Sequence, residues 1–172
     1  GCYLKPEKNL LNKSIKILNK LEKNINIGIS WKSFKNRYQG EKSLILENLN
    51  HIFERDDCNF INLQYGNVKE EIEIFNNKFG RNLITIEKLD LMNDFDNLAS
   101  MLKSIDLFIS VSNSTAHLAG SLGVNTLLIR PDNHAVFHYW NQSGEKTPWY
   151  NSITFVEKNK IINEKNLISK YL

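Results

Sequence analysis

The segment 105–131 constrains the fold of this chain more than any other part of the sequence. A short apolar run leads into the turn 112–115 (Ser-Asn-Ser-Thr), which is followed by a helical stretch rich in small residues, by Gly123 and by a second apolar run. Such a pattern is typical of two buried parallel strands joined by a crossover helix, with the glycine in the left-handed position that ends the helix.

The same alternation of strand and helix runs along the whole chain of 172 residues. Strands are predicted at 26–31, 59–64, 82–86, 106–111, 126–129 and 152–156. Helices are predicted at 6–24, 42–55, 68–78, 94–104, 115–122 and 163–171. The pattern predicts one α/β domain over 1–172, with a Rossmann-like, doubly wound parallel sheet of about six strands and helices on both faces, in three layers.

Composition and charge exclude several classes of function. The net charge of +3 suits an anionic ligand, but the lysines alternate with glutamates and apolar positions, so we expect no nucleic-acid partner. The two cysteines, Cys2 and Cys58, stand far apart in the sequence without a motif around either. They argue against a disulfide framework or zinc site and favour a reducing, cytoplasmic compartment. No apolar run is long enough to predict a transmembrane segment.

The predicted topology brings two polar connections together. In a sheet of order 3-2-1-4-5-6 the first and fourth strands are neighbours, and ligands bind beyond the carboxyl ends of the strands at this switch point. The loop after Trp31 then faces the turn 112–115. The first amides of the helix after that turn lack partners and carry the positive end of its dipole, so we predict the phosphate site of a nucleotide or nucleotide sugar here.

Four residues at this turn are candidates for that site. His117, in the first helical turn, can donate to a phosphate oxygen and stabilise charge on a departing nucleotide, although a histidine packed between helix and sheet is the alternative. Ser114 is the predicted N-cap, which leaves Asn113 and Thr115 to face the ligand. In the alternative interpretation all of these turn residues only cap the helix.

Residues after the first two strands complete the candidate site. Lys42 belongs to the basic loop 32–43 and precedes a predicted helix, so it can neutralise a leaving diphosphate, unless the loop is simply solvated. Gln64 can bond a base or sugar and Tyr65 can stack on one, or both can form a plain strand end. Trp31, which ends the first strand, is also predicted to contact the nucleotide sugar.

Two further motifs have alternative explanations. The sequence Asp94-Phe95-Asp96 is similar to the Asp-x-Asp metal motif of one class of sugar transferases, but it leads into a helix, so N-capping accounts for it and we expect no metal. The aromatic residues Trp140, Trp149 and Tyr150 can line one side of a base-binding site. Alternatively, they can pack against the sheet where the chain crosses it again after the fifth strand.

Several stretches, taken together, carry a family resemblance. They are 27–31, 60–66, 94–96, 107–123 and 148–152, and the most specific element is His-Leu-Ala-Gly at 117–120. In this order they resemble the carboxyl-terminal half of a bacterial GT-B glycosyltransferase, in particular the heptosyltransferase-like domains often fused to tetratricopeptide repeats. The chain departs from the family at Ser112-Asn113, where Asp-Thr is common.

The resemblance implies a nucleotide-diphospho-sugar donor and no metal cofactor. By position, Asn113, Ser114, Thr115 and His117 would bind the diphosphate, Lys42 would steady the leaving group, and Gln64 would contact the donor. The acceptor and the catalytic base would belong to a missing amino-terminal domain. Residues 1–24 would form the leading helix and linker that connect that domain to this one. Two alternatives stay open. One is a non-catalytic nucleotide-sugar-binding module, and the other is a sugar-nucleotide epimerase, which needs acid and base carboxylates that are not obvious after the first or fourth strand.

Overall fold

A computed structural model describes residues 2–34, 43–130, 140 and 144–172. Six parallel strands form one sheet in the order β3-β2-β1-β4-β5-β6. The strands are β1 (Ile25–Ser30), β2 (Cys58–Asn62), β3 (Leu83–Ile84), β4 (Leu107–Val111), β5 (Thr126–Arg130) and β6 (Ile153–Glu157). This order confirms the predicted Rossmann-like α/β fold and makes β1 and β4 neighbours at the switch point.

Helices cover both faces of the sheet. The α-helices are α1 (Lys8–Leu18), α2 (Lys69–Phe79), α3 (Phe95–Ser104), α4 (Ser114–Ser121) and α5 (Lys158–Asn163), and 3₁₀ helices span Leu46–Glu54 and Leu167–Lys170. One core joins α1, α3 and α4 to one face of the sheet, and another joins the 3₁₀ helices, α2 and α5 to the opposite face. Leu107, Phe108 and Ile109, which are consecutive in β4, are fully buried on alternate faces of the sheet, which explains why this strand is a continuous apolar run.

Two predicted helices differ from the structure. The segment predicted as a helix at 42–55 forms a 3₁₀ helix over Leu46–Glu54 instead. Its buried residues Leu46, Leu49 and Ile52 recur every third position, and three residues per turn place them on one face. The helix predicted at 163–171 is interrupted because Asn166 has a left-handed backbone, with φ of 64°.

The helix after β4 ends as the sequence predicts. Gly123 has φ of +67°, its N–H donates to the Gly120 carbonyl at 3.1 Å, and the Val124 N–H donates to the Ala119 carbonyl at 3.0 Å. This left-handed C-terminal motif satisfies carbonyls that the last turn leaves unpaired. Within the described parts of the chain, no helix combines the length and the apolar character needed to cross a membrane.

An ion pair before β2 predicts a pH-dependent contribution to stability. The guanidinium of Arg55 donates to both carboxylate oxygens of Asp57 and to Ser169 Oγ, and its hydrogen bonds lower the pKa of Asp57 to about 2. Because an unfolded aspartate titrates near about 3.9, this contribution is present above about pH 4 and is lost as the pH falls through about 2. Urea unfolding from pH 2 to 7 should therefore show wild type and Asp57→Asn converging in acid.

The control for this prediction is Asp56→Asn, since Asp56 is the exposed neighbouring residue. Its stability should follow wild type at every pH. A constant difference between Asp57→Asn and wild type down to pH 2 would contradict the assignment.

Candidate functional site

The N-terminus of α4 is capped by Asn113, and the prediction that Ser114 is the N-cap is wrong. Asn113 is extended, and its Oδ1 accepts from the Ala116 N–H at 3.0 Å. Ser114 already belongs to the helix and is exposed, so its hydroxyl stands outside the capping position. Asparagine and serine both cap helices well. The further hydrogen bonds of the buried Asn113 side chain favour Asn113 over Ser114 as the N-cap.

Those bonds join the ends of three neighbouring strands. Asn113 Nδ2 donates to Ser30 Oγ at 2.9 Å and to the Lys32 carbonyl at 3.3 Å, and Ser30 Oγ donates to Gln64 Oε1 at 3.1 Å. The chain of hydrogen bonds therefore runs from the end of β4 across β1 to the end of β2. It confirms that the turn 112–115 and the chain after Trp31 meet at the switch point.

Gln64 fixes the backbone at the end of β1. Its Oε1 accepts from the Trp31 N–H at 2.8 Å and the Lys32 N–H at 2.6 Å as well as from Ser30, and its Nε2 donates to the Tyr65 carbonyl at 2.9 Å. The side chain is 1% exposed. Its amide oxygen is thus used by three protein donors, and contact with a ligand by this residue stays a prediction.

A cavity of about 920 Å³ opens beyond the ends of β2 and β3. Gln64 and Tyr65 line it together with several further amide side chains, those of Asn62, Asn67, Asn76, Asn82 and Asn93. Apolar residues, among them Val68, Ile72, Leu89 and Leu91, complete the wall. Apolar walls with a few amide donors and acceptors suit a flat heterocycle that carries polar edges, and the volume lies within the range of small-molecule sites.

An aromatic pair stands beside this cavity. The rings of Phe34 and Tyr65 are 5.5 Å apart, and Phe34 is 40% exposed. Gly66 makes this contact possible, because a Cβ there would lie 2.7 Å from the Phe34 ring, and its φ of +92° also favours glycine.

His117 lies between two aromatic side chains. Its ring stacks on Trp140 with centroids 4.2 Å apart and planes 16° apart, and its Nδ1 is 3.2 Å from the Tyr150 hydroxyl. Trp140 Nε1 donates to Ser112 Oγ at 2.9 Å. The aromatic residues after β5 thus pack against the start of α4, and His117 is half-buried among them while Trp149 is 54% exposed.

Other predicted site residues occupy different surroundings. Trp31 has no exposed surface because it packs in the core, where its Nε1 donates to Glu71 Oε1 at 3.1 Å, and contact between this residue and a nucleotide sugar stays a prediction. Thr115 is buried, next to exposed Ser114. Lys42 lies outside the described residues.

Sequence reasoning missed Glu71, a residue of the first turn of α2. Its carboxylate accepts from Trp31 Nε1, from Lys32 Nζ at 2.6 Å and from the Leu46 N–H at 3.4 Å. It therefore holds the first residues of the basic loop and pairs with the Lys32 ammonium. No spacing in the sequence marks Glu71, because its partners lie 25 to 40 residues away.

Asp94 is the N-cap of α3, and Asp96 lies in the first turn of the same helix. Asp94 accepts from the Asn97 N–H at 3.0 Å, and this hydrogen bond lowers the pKa of its carboxyl. The structure confirms the predicted N-cap. The described residues include no cluster of three or more His, Cys, Asp or Glu side chains that can hold a metal ion.

Comparisons with known proteins bear on the fold. No family model matches the chain. Protein FlbA of Caulobacter vibrioides is 30% identical over 138 residues, which are 79% of this chain and 22% of that protein. The glycosyl transferase family 9 structure from Veillonella parvula has a TM-score of 0.61 at 14% identity, over 90% of this chain and 42% of its own. For the E. coli ADP-heptose lps heptosyltransferase II the TM-score is 0.58 at 8% identity, over 93% and 48%.

The matched region is only a part of each of these proteins. The chain spans about a fifth of the curated relative and less than half of each solved structure. At such low identity the two structures show a shared fold. The chain therefore has a Rossmann-like fold that is similar to the folds of a family 9 glycosyl transferase and of a heptosyltransferase.

Proposed function

We propose that this chain is the donor-binding, carboxyl-terminal half of a GT-B glycosyltransferase, which moves a sugar from a nucleotide-diphospho-sugar to an acceptor hydroxyl. The observation that carries the proposal is the hydrogen-bonded chain Asn113–Ser30–Gln64. It connects the N-terminus of α4, through Ser30 of β1, to Gln64, which lines the cavity at the ends of β2 and β3. An anion site and a heterocycle site are then neighbours, as a nucleoside diphosphate requires.

The diphosphate would bind at the N-terminus of α4. Within the described residues the amides of Ser114 and Thr115 have no acceptor, and the first turn of the helix contains no acidic side chain. Two unpaired amides and the positive end of the helix dipole favour an anion at this position. His117, in the same turn, would donate a further hydrogen bond to a phosphate oxygen.

The nucleoside would occupy the cavity lined by Gln64 and Tyr65. The amide side chains around it can match the polar edges of a base, and Tyr65 can stack on a base or sugar. The name of the E. coli structure includes ADP-heptose, which supports a nucleotide sugar as the class of ligand.

Catalysis on this proposal is electrostatic. An acceptor hydroxyl displaces the nucleoside diphosphate, while the α4 amides, His117 and Lys42 stabilise the negative charge that develops on the leaving group. The acceptor and the base that removes its proton would belong to an amino-terminal domain preceding residues 1–24. The donor site as proposed uses no metal and no other cofactor.

One observation favours a second candidate, a module that binds nucleotide sugars without transferring them. The related domains often have a carboxylate where this chain has Ser112, and here Ser112 Oγ accepts from Trp140 Nε1. A transfer assay on the complete gene product separates the two candidates, because a module would bind donor and release no free nucleotide.

Ligand-induced stabilisation tests the proposal. In thermal shifts with ADP, UDP, GDP and CDP, at least one diphosphate should stabilise the domain, by about 2.7 kcal/mol at one hundred times its dissociation constant. His117→Ala should abolish that shift and leave the unliganded domain folded. The control His51→Ala removes a histidine from the opposite face and should keep the shift.

Two results would contradict this account. If none of the four diphosphates stabilised the folded wild-type domain, the proposed donor site would be rejected. A His117→Ala variant that melts early and keeps its affinity would make His117 a core residue without a role in binding.

A further inference from the structure

Trp140 and Tyr150 contact the imidazole of His117 on different sides. Trp140 lies flat against one face of the ring, and the Tyr150 hydroxyl meets Nδ1 at 3.2 Å with the two rings nearly perpendicular, at 68°. A stack restrains the plane of a ring, and a hydrogen bond to one of its nitrogens restrains the rotation of the ring within that plane. The orientation of His117 is therefore set by residues far along the chain.

The position of Tyr150 is made possible by Gly120. A Cβ on Gly120 would lie 2.5 Å from Tyr150 Cγ and 2.8 Å from Tyr150 Cδ2, closer than a Cβ approaches another atom, so the Tyr150 ring would have to move. Gly120 follows His117 by three residues, so the two share one side of α4. The missing side chain lets the Tyr150 ring lie against the helix within reach of the imidazole.

The segment before α1 closes the other side of Tyr150. The Tyr3 ring meets Tyr150 edge-on with centroids 6.3 Å apart, and its hydroxyl donates to the Trp149 carbonyl at 3.0 Å. The N–H groups of Tyr3 and Leu4 both donate to the Ser121 carbonyl at the end of α4. Tyr150 is thus held between α4 and this segment.

We infer that Tyr150 is a positioning residue, whose O–H donates to His117 Nδ1 and so keeps the imidazole proton on Nε2. A neutral imidazole has one donor and one acceptor nitrogen, and a hydroxyl can pair with either. A phenol O–H is a stronger donor than an imidazole N–H, and the unprotonated imidazole nitrogen is a stronger acceptor than a phenol oxygen, so the pair favours Nδ1 as the acceptor. With Nδ1 as the acceptor, Nε2 is the donor nitrogen that an anion needs. The inference rests on the proposed function in one respect, since the anion is the donor diphosphate.

The test compares two variants that each remove one hydroxyl from the same aromatic cluster. Tyr150→Phe deletes the partner of Nδ1 and keeps the ring, and Tyr3→Phe is the matched control because the Tyr3 hydroxyl bonds Trp149 instead. Long-range ¹H–¹⁵N spectra of the labelled protein, at a pH where imidazole is neutral, report which nitrogen carries the proton. The His117 signals are assigned with His117→Gln.

Wild type and Tyr3→Phe should show a protonated Nε2 and an acceptor Nδ1. Tyr150→Phe should move both nitrogen shifts toward the average of the two tautomers. Gly120→Ala, which displaces the Tyr150 ring, should cause the same change by another route. An unchanged His117 spectrum in Tyr150→Phe, or a protonated Nδ1 in wild type, would overturn the inference.

Affinity for the nucleoside diphosphates separates this inference from the proposed function. Tyr150→Phe should weaken binding of the most stabilising diphosphate about 5- to 10-fold, and Tyr3→Phe should leave it within about 2-fold. Weaker binding with an unchanged imidazole spectrum would overturn the positioning role alone. A tautomer change in a protein that binds no diphosphate would support positioning and reject the proposed function.

Discussion

Replacing Gln64 by methionine is expected to lower the free energy of unfolding by about 3 to 5 kcal/mol. The substitution keeps the length of the side chain and removes an amide oxygen that accepts from Ser30, Trp31 and Lys32 at the end of β1. Each buried donor left without an acceptor costs about 1 to 3 kcal/mol, and these three share one acceptor. Urea unfolding followed by far-UV circular dichroism measures the change.

The control for this substitution is Asn77→Met on α2. Asn77 is exposed, so the same exchange of an amide for a thioether should change stability by less than about 0.5 kcal/mol. A loss below about 1 kcal/mol for Gln64→Met would show that water or relaxation satisfies the end of β1. The buried amide would then not be what fixes the site's framework.

Replacing Asn113 by alanine is expected to cost about 2 to 3 kcal/mol of stability and to abolish diphosphate binding. Loss of an N-cap costs about 0.5 to 2 kcal/mol, and the hydrogen bonds to Ser30 and to the Lys32 carbonyl add to it. Binding is lost because the first turn of α4 is no longer fixed against β1. Urea unfolding and calorimetric titration with the diphosphates measure the two effects.

A serine at the same position separates capping from bridging. Asn113→Ser keeps an N-cap oxygen but does not reach β1, so it should recover about 1 kcal/mol and leave binding weak. Full recovery of diphosphate binding by Asn113→Ser would contradict the role of the bridge to β1.

The sequence predicts the fold well because its patterns are local. Short apolar runs alternating with helices lead to a parallel sheet, and the rule that ligands bind at the switch point brings the turn 112–115 to the end of β1. Gly123 and Asp94 act as predicted, since a helix stop and a helix cap depend on neighbouring residues only.

Details of the site depend on contacts between distant parts of the chain. The bonds of Asn113 to β1 span more than 80 residues, and they make it the N-cap in place of Ser114. Trp31, the residue after β1, is buried in the core, where its Nε1 donates to the carboxylate of Glu71. The contact of His117 with Tyr150 spans 33 residues. Periodicity and capping patterns carry no information about such pairs.

The measurement that tests the central claim most directly is an amide ¹H–¹⁵N titration of the labelled chain with nucleoside diphosphates. We predict that the largest shifts occur at Ser114, Thr115 and His117, with a second group at 64–67 beside the cavity. The matching nucleoside without phosphates should move only the second group. A bound diphosphate that leaves the amides of 114–117 unmoved, or a folded chain that responds to none of these ligands, would contradict the account.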